Sequence, residues 1–337
     1  MAEPAPAAPK GSTYLDTCRC DLRQWSSRGR GRIRIGMERA MSRIFDALRR
    51  AEAGRTRAQF AEPAAARAFR VVSVTSNKGG VGKTTIATNL AVYLRALREG
   101  LPVLFLGLDD QTSVNRMFSL QYVMEGGTIA SALRVGSLAG AIRLGQYGVH
   151  FVPASPAITD LKREITDPLR LRGLLERSGW RGVVVIDTKS DFEILTRNAL
   201  AASDLSLVVV KDQASLLEAQ RFFDWLRHRG KLAESARVVL SLVDRRVKYA
   251  DAATPDVLAL LRAEVHGLGC PAFEAYLSRS PTIEALLTNP DGRSHLILNA
   301  ASTSIVHRQM TRLAQEVLDA LRLDSLGEDA AQTGVDR

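Results

Sequence analysis

Residues 71–94 read VVSVTSNKGGVGKTTIATNLAVYL: an apolar strand, a glycine-rich turn and an apolar helix in direct succession. Few folds accept such a segment. The strand is apolar without alternation, as in a parallel sheet covered on both faces, and the helix must pack back onto that sheet. Gly79, Gly80 and Gly82 let the backbone curl until its N–H groups face an anion. The helix that follows adds its positive end. Lys83 offers a point charge to phosphate oxygens, and the Thr84 hydroxyl suits a divalent cation. These residue types at this spacing point to the phosphates of a nucleotide.

The rest of the chain repeats the strand–helix alternation. Apolar runs predict strands at 70–75, 102–108, 149–153, 182–187, 205–211, 237–243 and 273–278. Helical spacing predicts helices at 84–98, 158–178, 192–202, 215–228, 252–267 and 302–322. The expected fold is α/β: a doubly wound, mostly parallel sheet with helices on both faces, of the P-loop NTPase type. No internal repeat is visible. Residues 1–36 are rich in Pro, Ala, Gly, Ser and Arg and read as a disordered basic leader. Residues 37–69 read as a helix (38–54, with Met41, Ile44, Phe45, Leu48 and Ala51 on one face) and a linker. The α/β domain then spans 70–323, and 324–337 reads as a disordered tail.

The net charge of +10 is concentrated at the front, where residues 1–70 hold 15 Lys and Arg against 7 Asp and Glu. Arg28, Arg30, Arg32 and Arg34 suit phosphate backbones. The same run also reads as a solvated tail, or as sequence upstream of a start at Met37 or Met41. Three cysteines, Cys18, Cys20 and Cys270, build no disulfide framework, and a reducing cytoplasm is expected. No apolar run is long enough to span a bilayer and the N-terminus lacks a secretory pattern, so a soluble protein is expected.

The usual phosphate-loop pattern, G-x-x-x-x-G-K-[ST], wants glycine where Asn77 stands. Instead the chain reads Lys78-Gly79-Gly80-Val81-Gly82-Lys83-Thr84-Thr85. With its two lysines this is the deviant Walker A signature, and the chain resembles the ParA/MinD family of P-loop ATPases over about residues 70–323. The resemblance implies ATP and Mg²⁺ as cofactors, with Lys78 and Gly79 to Thr85, Val81 included, around the nucleotide. It implies an ATP-dependent homodimer in which Lys78 reaches the nucleotide of the second subunit. Gly107-Leu108-Asp109-Asp110-Gln111 resembles the family's D-x-D-P-Q, with Asp109 as the acid that orders water and Gln111 as the glutamine. Gly107 departs at the first acid and Asp110 at the proline. Asp187-Thr188-Lys189-Ser190 stands where the family has D-x-P-P; Asp187 matches the metal-shell acid, and Thr84 is the second metal residue. Near the end, AYLSRSPTIEAL (275–286) matches a family loop in which Arg279 lies near the base and Glu284 follows.

The function implied is a cytoplasmic positioning or partitioning ATPase, slow and partner-stimulated. It would act on a cargo and hold non-specific DNA of the nucleoid. Arg245, Arg246 and Lys248, and Arg221, Arg227, Arg229 and Lys231, are the candidate basic clusters; each also reads as a solvated face. An alternative is an export-linked ATPase related to bacterial tyrosine autokinases, because residues 41–52, MSRIFDALRRAE, resemble the start of such kinases. Their terminal tyrosine cluster is missing, the last tyrosine being Tyr276. A MinD-like membrane mode would need a basic amphipathic C-terminal helix, which the tail after Leu323 does not supply. Gly107 and Lys189 also fit a nucleotide-gated switch with little turnover.

Overall fold

A computed structural model describes residues 68–110, 113–118, 126–228, 235–247, 256–281, 283–284, 296–299 and 303–323. The readings made on 1–36, on the helix 38–54, on the tail 324–337 and on Gln111 lie outside the described residues.

The strands are β1 (Phe69–Thr75), β2 (Val103–Gly107), β3 (Arg143–Leu144), β4 (His150–Val152), β5 (Gly182–Asp187), β6 (Leu205–Val210), β7 (Ala236–Val243) and β8 (Ala272–Ser278). They form one sheet in the order β3-β4-β2-β5-β1-β6-β7-β8. Every pairing is parallel except the short edge pair β3–β4. Every residue of β2, β5 and β6 is buried, as their unbroken apolar runs require. Each fully buried valine in these strands contributes about 1.5–3 kcal/mol.

The described helices are α1 (Lys83–Leu97), α2 (Ser113–Phe118), α3 (Ile129–Val135), α4 (Ile158–Glu164), α5 (Arg170–Glu176), α6 (Ile194–Ala202), α7 (Gln213–His228), α8 (Val257–Gly267) and α9 (Ile305–Leu321). Side chains alternate along β1. Val71 joins the core formed with α3, α4, α5 and α6, so Val72 and Val74 face the opposite side. There α1 covers β1, β2 and β5, and packs on α9. This is the doubly wound arrangement.

Two expectations need correcting. The single helix expected over 158–178 is two helices, because Pro168 disfavours helical backbone at Asp167 and lacks an N–H. The Asp167 side chain accepts from Leu169 N (2.8 Å) at the break. α3 was not anticipated. It is held by a capping box between Thr128 and Ser131 and closed by Gly136 at φ +81.

Parallel pairing lines up the C-terminal ends of β2, β5, β1, β6, β7 and β8 on one edge. Ligands of open α/β sheets bind at that edge.

Candidate nucleotide site

β1 ends at Thr75 and delivers the glycine loop to this edge. Gly80 and Gly82 take φ +67 and +92, backbone that glycine adopts without steric cost. A Cβ on Gly82 would stand 3.1 Å from Ser241 Oγ in β7, so the loop lies tight against that strand. β7 meets it with an irregular register between Leu240 and Val243, and Leu242 at φ +54. Val81 is buried beneath the loop. The outer side is open: nothing lies within 4 Å of where a Cβ would sit on Gly79 or Gly80. The loop is a cradle anchored on one side and open on the other.

Lys83 begins α1 and is 6% exposed, with Nζ donating to Ser190 Oγ at 2.5 Å. Burial pushes its pKa down, against the pull of Asp187, Asp109 and Asp191. Asp187 ends β5 at 0% exposure. Neither of its carboxylate oxygens has a hydrogen-bond partner. Burial lifts its pKa to about 7; the Thr84 hydroxyl and Lys83 oppose the rise, and Asp109 reinforces it. The Thr84 hydroxyl is close enough to favour the ionised form but falls short of hydrogen-bond geometry. Thr85 follows in α1, its carbonyl accepting from Asn89 Nδ2 (2.7 Å).

Asp109 follows β2. Leu108 N donates to the Asp187 carbonyl (2.8 Å), which ties the ends of β2 and β5 together. The Asp109 charge acts on both Lys83 and Asp187. Lys83, Thr84, Asp109 and Asp187 therefore form one cluster. An orphaned buried carboxylate beside a desolvated ammonium and an open glycine cradle fits a phosphate chain carrying a divalent cation. Among the described residues no group of three or more His, Cys, Asp or Glu is placed to hold a metal. A cation here would take most of its ligands from phosphate and water, the habit of Mg²⁺.

Lys78 is held elsewhere. Its Nζ donates to both oxygens of Asp212, at 3.0 and 2.8 Å, just past the end of β6. Asn77 donates to Glu218 on α7 (2.5 Å), so the front of the loop leans on that helix. Burial pushes the Asp212 carboxyl up, but the bonds from Lys78 and Ser215 outweigh it and the net shift is down.

Arg279 lies past the end of β8, three places from β1 in the sheet. Its N donates to the Val243 carbonyl (3.0 Å) and its Nε to Glu284 (3.3 Å). In the basic clusters, Arg246 binds Asp244 (2.6 Å), Arg221 binds Glu218 (3.1 Å) and Arg227 binds Asp224 (2.7 Å). Arg245 donates to Tyr276 Oη (3.3 Å). Lys248, Arg229 and Lys231 are outside the described residues.

Sequence reasoning missed Asp212, Ser190 and the pairing of Lys189 with Asp110 (2.7 Å). Asp212 did leave a signal. With Ser215 it makes the reciprocal bonds of a helix start, Ser215 N to Asp212 Oδ1 (2.8 Å) and Asp212 N to Ser215 Oγ (3.0 Å). That signal marks a helix end and is silent about Lys78.

A family model described as an AAA domain matches residues 69–227. The chromosome partitioning protein ParA of Caulobacter vibrioides is 29% identical over 217 residues, covering 60% of this chain and 80% of that protein. The chromosome-partitioning ATPase Soj of Thermus thermophilus is 35% identical over 150 residues, 44% of this chain and 57% of Soj. Among solved structures, a McdA–ATP complex from Cyanothece superposes with a TM-score of 0.60 at 15% identity, covering 76% of this chain and 97% of that one. That last likeness speaks to the fold alone. The glycine cradle with its two lysines, the Lys83–Asp187 cluster at the sheet edge and these relatives together make the chain similar to the ParA/MinD family of P-loop ATPases.

Proposed function

We propose that this protein is a partitioning-type ATPase: an ATP-dependent dimeric switch that positions a cargo, slow alone and accelerated by a partner. The observation that carries the reading is the separation of the two lysines. Lys83 is buried against Ser190 in the acid cluster, whereas Lys78 rests on Asp212 with 35% and 41% of the two side chains exposed. A pair this open contributes only about 0.2–1 kcal/mol, so Lys78 exchanges it readily for another anion.

The placements support the following roles. Gly79 to Thr85 would present backbone N–H groups to the phosphates of ATP, and Lys83 would neutralise them. Thr84 and Asp187 would hold Mg²⁺, which supplies charge neutralisation for phosphoryl transfer. Asp109, beside both, would orient the attacking water. Lys78 would leave Asp212 and add its charge across a dimer interface, as an arginine finger does. Arg279 would stand near the base. Relatives named for chromosome partitioning support a nucleoid surface, and non-specific DNA is the surface we propose. Among the described residues no helix is long and apolar enough to cross a membrane.

The test is size-exclusion chromatography with light scattering on Asp109→Ala, comparing ADP with ATP–Mg²⁺. A dimer that forms only with ATP supports the switch. A monomer with ATP demonstrably bound sinks it.

A further inference from the structure

Asp110 and Lys189, two of the three residues at which this chain departs from the family's prolines, meet. Lys189 Nζ donates to Asp110 Oδ2 at 2.7 Å, and Thr159 Oγ1 donates to the same oxygen at 3.3 Å. Thr159 belongs to α4. One turn further along that helix, Lys162 holds Asp191 (2.7 Å) and also pairs with Glu193. Asp191 is fixed again by Thr196 Oγ1 (3.0 Å) and by the Glu193 N–H (3.1 Å). The loop that follows β5 is thus fastened to α4 directly through Asp191 and, on the other side of Ser190, only by way of Asp110.

The consequence falls on Asp109. On one side of it, Leu108 N is bonded to the Asp187 carbonyl (2.8 Å). On the other side, the Asp110 side chain is bonded to Lys189. Adjacent Cα atoms are about 3.8 Å apart, so a residue clamped through both neighbours has little room to swing. We propose that Asp110 and Lys189 are a positioning pair: their contact, braced by Thr159, holds Asp109 in place beside Lys83 and Asp187. This rests on Asp109 being the water-orienting acid. The side chains are about a third exposed (33% and 36%), so the pair adds little to global stability. Its loss is felt where a shift of about 1 Å costs up to about a hundredfold in rate.

The experiment uses the full chain and steady-state ATP hydrolysis, with affinity measured separately by a fluorescent ATP analogue. Asp110→Asn and Lys189→Gln are each expected to lower kcat by about tenfold or more, with affinity changed by less than about threefold. The double variant should lose no more than either single one, and Lys189→Arg should recover most of the rate. Singles that keep kcat within about twofold overturn the proposal. So do singles whose affinity falls in parallel with kcat, because the pair would then only build the pocket. Asp109→Ala separates the two readings. If it turns over like the unsubstituted protein, the assignment of Asp109 falls and the pair's role with it. If it is inactive while the pair variants are normal, the pair's role alone falls.

Discussion

The orphaned Asp187 carboxylate should make the nucleotide-free protein less stable as pH rises, and Asp187→Asn should remove that dependence. Burial raises its pKa from 3.8 to about 7. Between those values the folded state binds more protons than the unfolded state, so unfolding free energy falls with rising pH. The stabilisation is complete below about 3.8 and lost as pH passes through about 7. At about 1.4 kcal/mol per unit, the shift amounts to up to about 4 kcal/mol of charge burial. The amide variant carries its own pH-independent cost for a buried polar group, about 1–3 kcal/mol. The informative quantity is therefore how the gap between the two proteins changes with pH. Urea unfolding of both, without nucleotide, from about pH 5 to about pH 8, should move that gap by a few kcal/mol in favour of the variant. Addition of Mg²⁺ and ATP at the upper pH should stabilise the unsubstituted protein more than the variant. A gap that stays flat across the range would refute the argument. It would mean that Asp187 is solvated or otherwise partnered, and that the cluster is not a charge-starved cation site.

The remaining predictions concern the loop and its supports. Lys78→Ala should keep ATP affinity within about threefold, read by a fluorescent analogue, while the ATP-dependent dimer loses at least about tenfold in turnover; normal turnover would remove the trans role. Lys83→Ala should abolish detectable ATP binding by calorimetry. Gly82→Ala places a Cβ 3.1 Å from Ser241 Oγ at φ +92 and should cost more than Gly80→Ala. At φ +67 with open space, Gly80→Ala carries only the left-handed backbone strain of about 1–2 kcal/mol in urea unfolding. Gly182→Ala would bring a Cβ to 2.2 Å from the Pro102 carbonyl at φ +112. It should destabilise by about 3 kcal/mol or more, since backbone there has to move.

What the sequence discloses and what it hides divide along one physical line. The loop around Lys83 was legible because strand, turn and helix lie within a few residues, and each glycine's task is local. β5 was legible down to Asp187 because a wholly buried strand must be apolar until it reaches the edge where polarity serves a purpose. α4 and α5 were merged because periodicity carries across Pro168 even though the backbone does not, and α3 was passed over because its seven residues are too few to show a period. The electrostatic partners are another matter. Lys78 and Asp212 are 134 residues apart, and Lys189 and Asp110 are 79 apart. No periodicity links them; they meet because parallel pairing brings the ends of β1, β2, β5 and β6 to one edge. Lys189 and Asp110 each look like a defect when compared singly with the family pattern. Side by side they have opposite charges at 2.7 Å, and two departures that seemed to weaken the site become a bond across it. A departure from a motif is therefore best judged after the fold has shown what it faces.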